Sequence, residues 1–176
     1  MRWRRVVLVG FMASGKTTVG AALARRLGWR LIDIDAELVA REGRSVQEIF
    51  AAEGEAAFRG LEARAVRDAL DEREVVVVPG GGWAAAAEGR IHALPADTFT
   101  VWLRVSAEAA VARARASSVV RPLLAGTDPM TTASALLAER EPFYAPARLH
   151  LEAEEKSPDH LAVNIASQMQ SSLPRS

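Results

Sequence analysis

The sequence predicts a single α/β domain: a three-layer arrangement with a five-stranded parallel sheet and helices on both faces. Three observations carry that expectation. Strand-length apolar runs alternate with longer helical patterns, and alternating β and α units imply parallel strands joined by helical crossovers. Four consecutive valines, Val75 to Val78, suit a strand buried on both faces. A glycine-bounded segment from Gly10 to Gly15 sits between a strand candidate and a helix candidate. The length of 176 residues fits one domain with a sizeable core and is short for two. The domain is expected over residues 1–170, with 171–176 a frayed tail.

Val6–Val9 reads as the first strand. Thr18 to Leu27 reads as a helix, with Val19, Leu23 and Leu27 on one face. Leu31–Ile34 is the second strand candidate. Ser45-Val46-Gln47-Glu48 matches a capping box, with Ile49 apolar behind it. Glu55–Glu72 follows as a long charged helix whose Phe58, Leu61, Ala65 and Ala69 share a face. The valine strand leads into Gly80-Gly81-Gly82 and a helix expected at Ala84–Ala87. Thr98–Val105 is the fourth strand, and Ser106 can cap a helix running to about Arg115. Ser117 to Pro129 has two prolines, a glycine and no helical period, so a loop is expected. A helix over about Thr132–Arg140 is expected to end near Pro142. Leu149–Glu152 is the fifth strand.

Composition narrows the class. Hydrophobic residues make up 49% and charged residues 25%, as in soluble globular proteins. The formal net charge is zero, so nothing global points to nucleic acid or an acidic membrane surface. The absence of cysteine excludes disulfides, thiolate metal sites and cysteine nucleophiles, and fits the cytoplasm. Met1 to Arg5 followed by an apolar run resembles the start of a signal peptide. That run is brief and contains Gly10; a central strand explains it better. Val75 to Ala87 is too short to span a bilayer and is broken by Pro79 and three glycines. The histidines, His92, His150 and His160, show no metal-ligand spacing. Trp3, Trp29 and Trp102 read as packing residues.

The chemistry concentrates at the ends of the strand candidates. Gly10 to Thr17 fits G-x-x-x-x-G-K-[ST] at every fixed position. Such a loop wraps its backbone N–H groups around phosphate, so Ala13, Ser14, Gly15, Lys16, Thr17 and Thr18 form the expected ATP-binding set. Lys16 can reach the β- and γ-phosphates, and the Thr17 hydroxyl can ligate Mg²⁺. In Asp33-Ile34-Asp35, read as the end of a strand, the two carboxylates alternate onto one side. One can orient the metal or its water while the other holds or deprotonates an acceptor hydroxyl. The blander alternative is that one of them caps the next helix. The three glycines 80–82 suit close approach of a ligand to backbone, or an ordinary turn. Arg59, Arg121 and Arg140 are candidate anion-binding side chains. Pro122 biases Arg121 toward an extended backbone, and residues 117–126 are expected to form a lid carrying it over the transferring phosphate.

Six segments occur in one order: GFMASGKTTVG (10–20), LIDIDA (31–36), GRSVQEIFAAEGEAAFR (43–59), GGG (80–82), VRPLL (120–124) and EREPFY (139–144). In these the chain resembles the shikimate kinase family. That family is similar in fold to nucleoside monophosphate kinases and transfers the ATP γ-phosphate to the 3-hydroxyl of shikimate. The resemblance implies that Lys16, Asp35 and Arg121 are catalytic. It implies that Thr17 and Asp33 serve the metal, that Arg59 and Arg140 bind the shikimate carboxylate, and that Gly80, Gly81 and Gly82 line its pocket. Phe50 and Phe58 would wall that pocket, and Lys156-Ser157-Pro158 would flank adenine, with Lys156 and Pro158 contacting it. ATP and shikimate are then the partners of a monomeric, cytoplasmic enzyme, without nucleic acid or membrane. Ala13 departs from the usual glycine, Pro79 and Trp83 replace smaller residues, and Ala114, between Arg113 and Arg115, occupies the adenine-stacking position. Alternatives are a kinase for another acceptor, such as a sugar acid or nucleotide, and a nucleotide-binding module without catalysis. Lys16, Asp33, Asp35 and Arg121 together favour the kinase.

Overall fold

Side-chain alternation along the strands explains how this chain builds two cores around one sheet. The computed structural model describes residues 3–86, 91–117 and 128–172. The strands are β1 (Arg5–Val9), β2 (Arg30–Asp33), β3 (Val75–Val78), β4 (Thr98–Arg104) and β5 (Leu149–Glu152). They pair in the order β2-β3-β1-β4-β5, and every pairing is parallel. Val6 and Leu8 of β1, with Val76 and Val78 of β3, face one core; Val7, Val9, Val75 and Val77 face the other. All four residues of β3 are buried, as expected of an interior parallel strand. Full burial of one such side chain stabilises the fold by roughly 1.5–3 kcal/mol.

Among the described residues six helices cover the faces: α1 (Lys16–Leu27), α2 (Ile34–Glu42), α3 (Val46–Asp71), α4 (Ala107–Ala116), α5 (Pro129–Tyr144) and α6 (Pro158–Ser171). The first core takes in Val19 and Leu23 of α1, Val111 of α4, and Leu161 and Ile165 of α6. The second takes in Leu38 of α2, and Phe58, Val66 and Ala69 of α3. The capping box at Ser45 forms as expected, with Ser45 and Glu48 exchanging hydrogen bonds. Gly54, at φ 82°, breaks α3 just before Glu55, and the chain turns there to bring the Phe50 and Phe58 rings within 4.5 Å.

Several expectations need correction. Asp35 does not lie on a strand: β2 ends at Asp33, and Asp35 sits in the first turn of α2. Pro129 is not in a loop; it occupies the first turn of α5 behind an Asp128 cap, where a missing N–H costs little. Pro142 does not end that helix, which continues to Tyr144. The helix gives up the one N–H bond that Pro142 cannot make, and Tyr144, 1% exposed, anchors the last turn. The helix expected at Ala84–Ala87 is one short 3₁₀ turn at Trp83–Ala85. Trp83 itself is buried in the second core. Helix α6 has no counterpart in the sequence reading, and Ser171, placed in the tail, belongs to it.

Parallel pairing brings the C-terminal ends of β1, β2 and β3 to one edge of the sheet. Asp33 is level with Val78 in the β2–β3 register, immediately before the turn at Pro79 to Gly82. The crevice outside that edge is where open α/β sheets bind ligands.

Candidate active site

The turn from β1 into α1 is shaped by its backbone. Gly10 has φ 147°, and a Cβ there would come within 2.5 Å of the Leu103 carbonyl oxygen on β4. Ala13 and Gly15 both take left-handed conformations, at φ 60° and 89°. Ser14 is 1% exposed, and its Oγ has no hydrogen-bond partner. Lys16, the first residue of α1, is also buried and folds back over the turn. Its Nζ donates to the Gly10 carbonyl at 2.9 Å and the Phe11 carbonyl at 3.0 Å. A positive charge and the N-terminus of a 12-residue helix thus meet at one point.

Thr17 Oγ1 donates to Asp33 Oδ2 at 2.6 Å, and Asp33 Oδ1 accepts the Ala36 N–H at 3.2 Å. Asp33 therefore caps α2 and faces Thr17 at once; the capping alternative and the functional one hold together. This pair offers hard oxygen donors. Among the described residues, no group of three or more His, Cys, Asp or Glu could hold a metal by itself. Such a sparse oxygen set suits Mg²⁺, which keeps several waters and shares phosphate oxygens.

Asp35 opens onto the crevice. Its carboxylate is nonetheless crowded by protein atoms, and that crowding, then repulsion from Asp33, raises its pKa; the charges of Lys16 and Arg59 oppose the rise. Asp35 Oδ1 lies 3.4 Å from where a Cβ on Gly80 would stand.

The turn Gly80-Gly81-Gly82 is approached from two helices. On α3, Arg59 donates to Glu62 Oε2 at 2.7 Å and Glu55 Oε1 at 3.3 Å. Glu62 is fully buried, and its other oxygen accepts the Gly80 N–H at 3.1 Å. A Cβ on Gly80 would collide with the Glu62 carboxylate, and one on Gly82 with the Arg59 guanidinium. Burial raises the Glu62 pKa, and the Arg59 charge and hydrogen bond pull it down. Burial works against the Arg59 cation, but Glu62, then Glu55, more than offset it. On α5, Arg140 is 7% exposed and stacks 5.9 Å above the Phe11 ring centre. One helical turn later the Tyr144 hydroxyl donates to the Gly81 carbonyl. Burial pushes the Tyr144 phenol up to about 12, against the opposing charge and hydrogen bond of Arg140, so it remains a donor.

The structure thus gathers Lys16, Thr17, Asp33, Asp35, Arg59, Arg140 and the three glycines at one edge of the sheet. Thr18 is exposed on the first turn of α1, and Phe58 is buried beside the partly buried Phe50. Ser157 caps α6 by accepting the His160 N–H, which makes Pro158 the first helical residue; Lys156 before them is exposed. Arg121, Pro122 and the expected lid from residue 118 onward lie outside the described residues. Two contributors escape sequence reasoning. Glu62 lies three residues after Arg59 and Tyr144 four after Arg140, spacings that bring helical neighbours together and were the available signals.

Comparison with known proteins agrees with this geometry. The sequence model of the family described as "Shikimate kinase" matches residues 12–170. A shikimate kinase from Moorella thermoacetica is 43% identical over 160 residues, covering 91% of this chain and 91% of that protein. One from Symbiobacterium thermophilum is 46% identical over 143 residues, covering 81% and 82%. Among solved structures, the shikimate kinase from Acinetobacter baumannii in complex with shikimate superposes with a TM-score of 0.90 at 31% identity, covering 98% of this chain and 96% of that one.

Proposed function

The chain belongs to the shikimate kinase family, and from that membership we infer that it transfers the γ-phosphoryl group of ATP to the 3-hydroxyl of shikimate. The products are shikimate 3-phosphate and ADP. The observation that carries this reading is that Asp35 and Arg59 meet at one glycine turn beside the phosphate loop, with Arg140 stacked on Phe11 of that loop. An acceptor bearing both hydroxyls and a carboxylate needs that combination: an acid for the hydroxyls, guanidinium forks for the carboxylate.

In this mechanism Arg59 and Arg140 hold the carboxylate and so orient the ring. Asp35 accepts the proton of the 3-hydroxyl as its oxygen bonds to the γ-phosphorus and the bond to the ADP leaving oxygen breaks. The rise in its pKa makes it a better proton acceptor than an ordinary aspartate. Lys16 leaves its carbonyl partners on the loop for the phosphate oxygens and stabilises the charge of the transferring group. The loop's N–H groups, from Ala13 to Thr18, cradle the phosphates. Thr17 and Asp33 would hold Mg²⁺, which would neutralise part of the phosphate charge.

Residues 1–170 are read as one kinase domain that works as a monomer in the cytoplasm. Balanced charge supports small-molecule partners over nucleic acid or membrane, and the lack of cysteine fits the cytoplasm. No helix among the described residues is long and apolar enough to cross a membrane. The test is ADP release by the purified protein with shikimate, gluconate and nucleoside monophosphates, with and without Mg²⁺. Turnover confined to shikimate plus Mg²⁺ is expected. Preference for gluconate or a nucleotide would reassign the acceptor, and no turnover with any would leave a binding module.

A further inference from the structure

His150 has no part in the chemistry above, yet it stands where the helix α5 hands over to the edge strand β5. Its Nε2 lies 3.0 Å from the Ala145 carbonyl oxygen and 3.0 Å from that of Ala147. Both partners can only accept, so Nε2 carries the proton, and one N–H is shared between the two carbonyls. Those carbonyls belong to the turn directly after Tyr144. The end of α5 needs such a tie, because Pro142 has no N–H to give to the last turns. The imidazole is itself aimed. His150 stands opposite Trp102 in the β4–β5 register, and the two rings meet edge to face with centres 5.0 Å apart. Trp102 is buried, and its ring lies 5.8 Å from that of Tyr144. The Tyr144 hydroxyl then donates to the Gly81 carbonyl. A continuous series of contacts thus runs from the edge of the sheet to the glycine turn at the acceptor half of the site.

We propose that His150 is a positioning residue for the acceptor: by tying the turn after α5 to β5, it sets Tyr144 against the Gly81 carbonyl and so fixes the glycine turn under the substrate. This rests on the shikimate kinase reading above. The N–H on Nε2 is the working part, and the contact with Trp102 aims it. A binding turn is only as exact as the groups that hold it, and loosening this one would weaken the acceptor while leaving every group of the phosphate loop in place.

The test is steady-state kinetics of the full-length protein, with the KM for shikimate, the KM for ATP and kcat measured beside thermal unfolding. His150→Phe keeps a ring against Trp102 and removes the donor. His150→Gln gives up the ring and places an amide N–H near the position of Nε2. Loss of the shared hydrogen bond in His150→Phe is expected to raise the shikimate KM about threefold, with the ATP KM and kcat within about twofold of wild type. His150→Gln is expected to bring the shikimate KM back to within about 1.5-fold of wild type. In a Tyr144→Phe background, where the bond to Gly81 is already gone, His150→Phe is expected to add less than about 1.5-fold. Unchanged shikimate KM in His150→Phe overturns the proposal. So do equal rises in both KM values that track a lower unfolding temperature, a His150→Gln variant no better than His150→Phe, and an equal loss in the two backgrounds. If wild-type protein itself does not phosphorylate shikimate, the kinase reading falls and this inference falls with it. If wild type does so and the variants match it, only the inference falls.

Discussion

The two halves of the site are built by opposite means. The nucleotide half is backbone: one contiguous loop from Gly10 to Thr17, left-handed at Ala13 and Gly15, feeding the N-terminus of α1. The acceptor half is side chain: Asp35 from α2, Arg59 and Glu62 from α3 and Tyr144 from α5 meet at a glycine turn after β3, with Arg140 of α5 stacked on Phe11. The first half depends chiefly on the conformation of the loop and on Lys16, which folds back over it. The second spreads its work over several side chains from three helices. Glycine also means different things in the two. At Gly10 it lets the loop pass close to the β4 backbone, whereas at Gly80 and Gly82 it makes room for Glu62 and Arg59.

Lys16→Ala should break the nucleotide half outright. Its charge is the loop's principal stabiliser of the transferring group, and loss of one such contact costs at least about 3–4 kcal/mol in the barrier. Turnover should fall below detection while the unfolding temperature stays near that of wild type. Near-normal turnover by the folded variant would remove the phosphate-loop argument.

Asp35→Asn should lower kcat by roughly 10²–10⁴-fold with a smaller effect on ATP binding, because shape is kept and the proton acceptor is lost. The same substitution has a stability signature. The folded pKa of Asp35 lies above the unfolded one, so the folded chain holds the proton more tightly. Stability therefore falls as pH rises through the interval between the ordinary aspartate value and the raised one. Asp35→Asn should consequently unfold at a higher temperature than wild type at neutral pH, and the gap should close on acidification below the ordinary aspartate value. Wild-type kcat should decline as pH falls through the raised pKa. A variant less stable than wild type at neutral pH would show that crowding does not dominate at this carboxylate.

Arg140→Ala and Arg59→Ala should each raise the KM for shikimate, by about 2–5 kcal/mol in binding, and leave the KM for ATP near wild type. They should differ in stability. Removing Arg59 leaves the fully buried Glu62 without its cation, whereas Arg140 has no ion pair among the described residues. Arg59→Ala should therefore unfold at the lower temperature. Equal unfolding temperatures would mean that the Arg59–Glu62 pair contributes nothing to the acceptor half beyond ligand contact.

Tyr144→Phe should be the mildest change. It deletes one hydrogen bond to the Gly81 carbonyl, worth about 1 kcal/mol. A few-fold rise in shikimate KM with unchanged ATP KM is expected, and an equal rise in both would place the effect outside the acceptor half.

These two halves were not equally legible. The phosphate loop, the capping box at Ser45 and the buried valine strand are local: each depends on residues within about one helical turn or one strand, where spacing along the chain is spacing in space. Strand-and-helix alternation sufficed for the parallel sheet with helices on both faces. Local chemistry also showed which residue types to expect in the site, two aspartates and a set of arginines. What spacing could not convey was how they meet. Asp33 and Asp35 converge because a helix starts between them, not because a strand alternates; a short apolar run before an acidic pair is compatible with either.

Everything that links distant segments was decided by the tertiary structure. Glu62 reaches the Gly80 N–H across 18 residues, Tyr144 the Gly81 carbonyl across 63, and Arg113 the Ala13 carbonyl across 100. Each of those contacts exists because the strand order β2-β3-β1-β4-β5 sets β3 beside β1 and places β4 and β5 on the far side. That order comes from burying two apolar faces at once. It is a property of the packed whole, and no stretch of the chain short enough to be read by its own periodicity contains it.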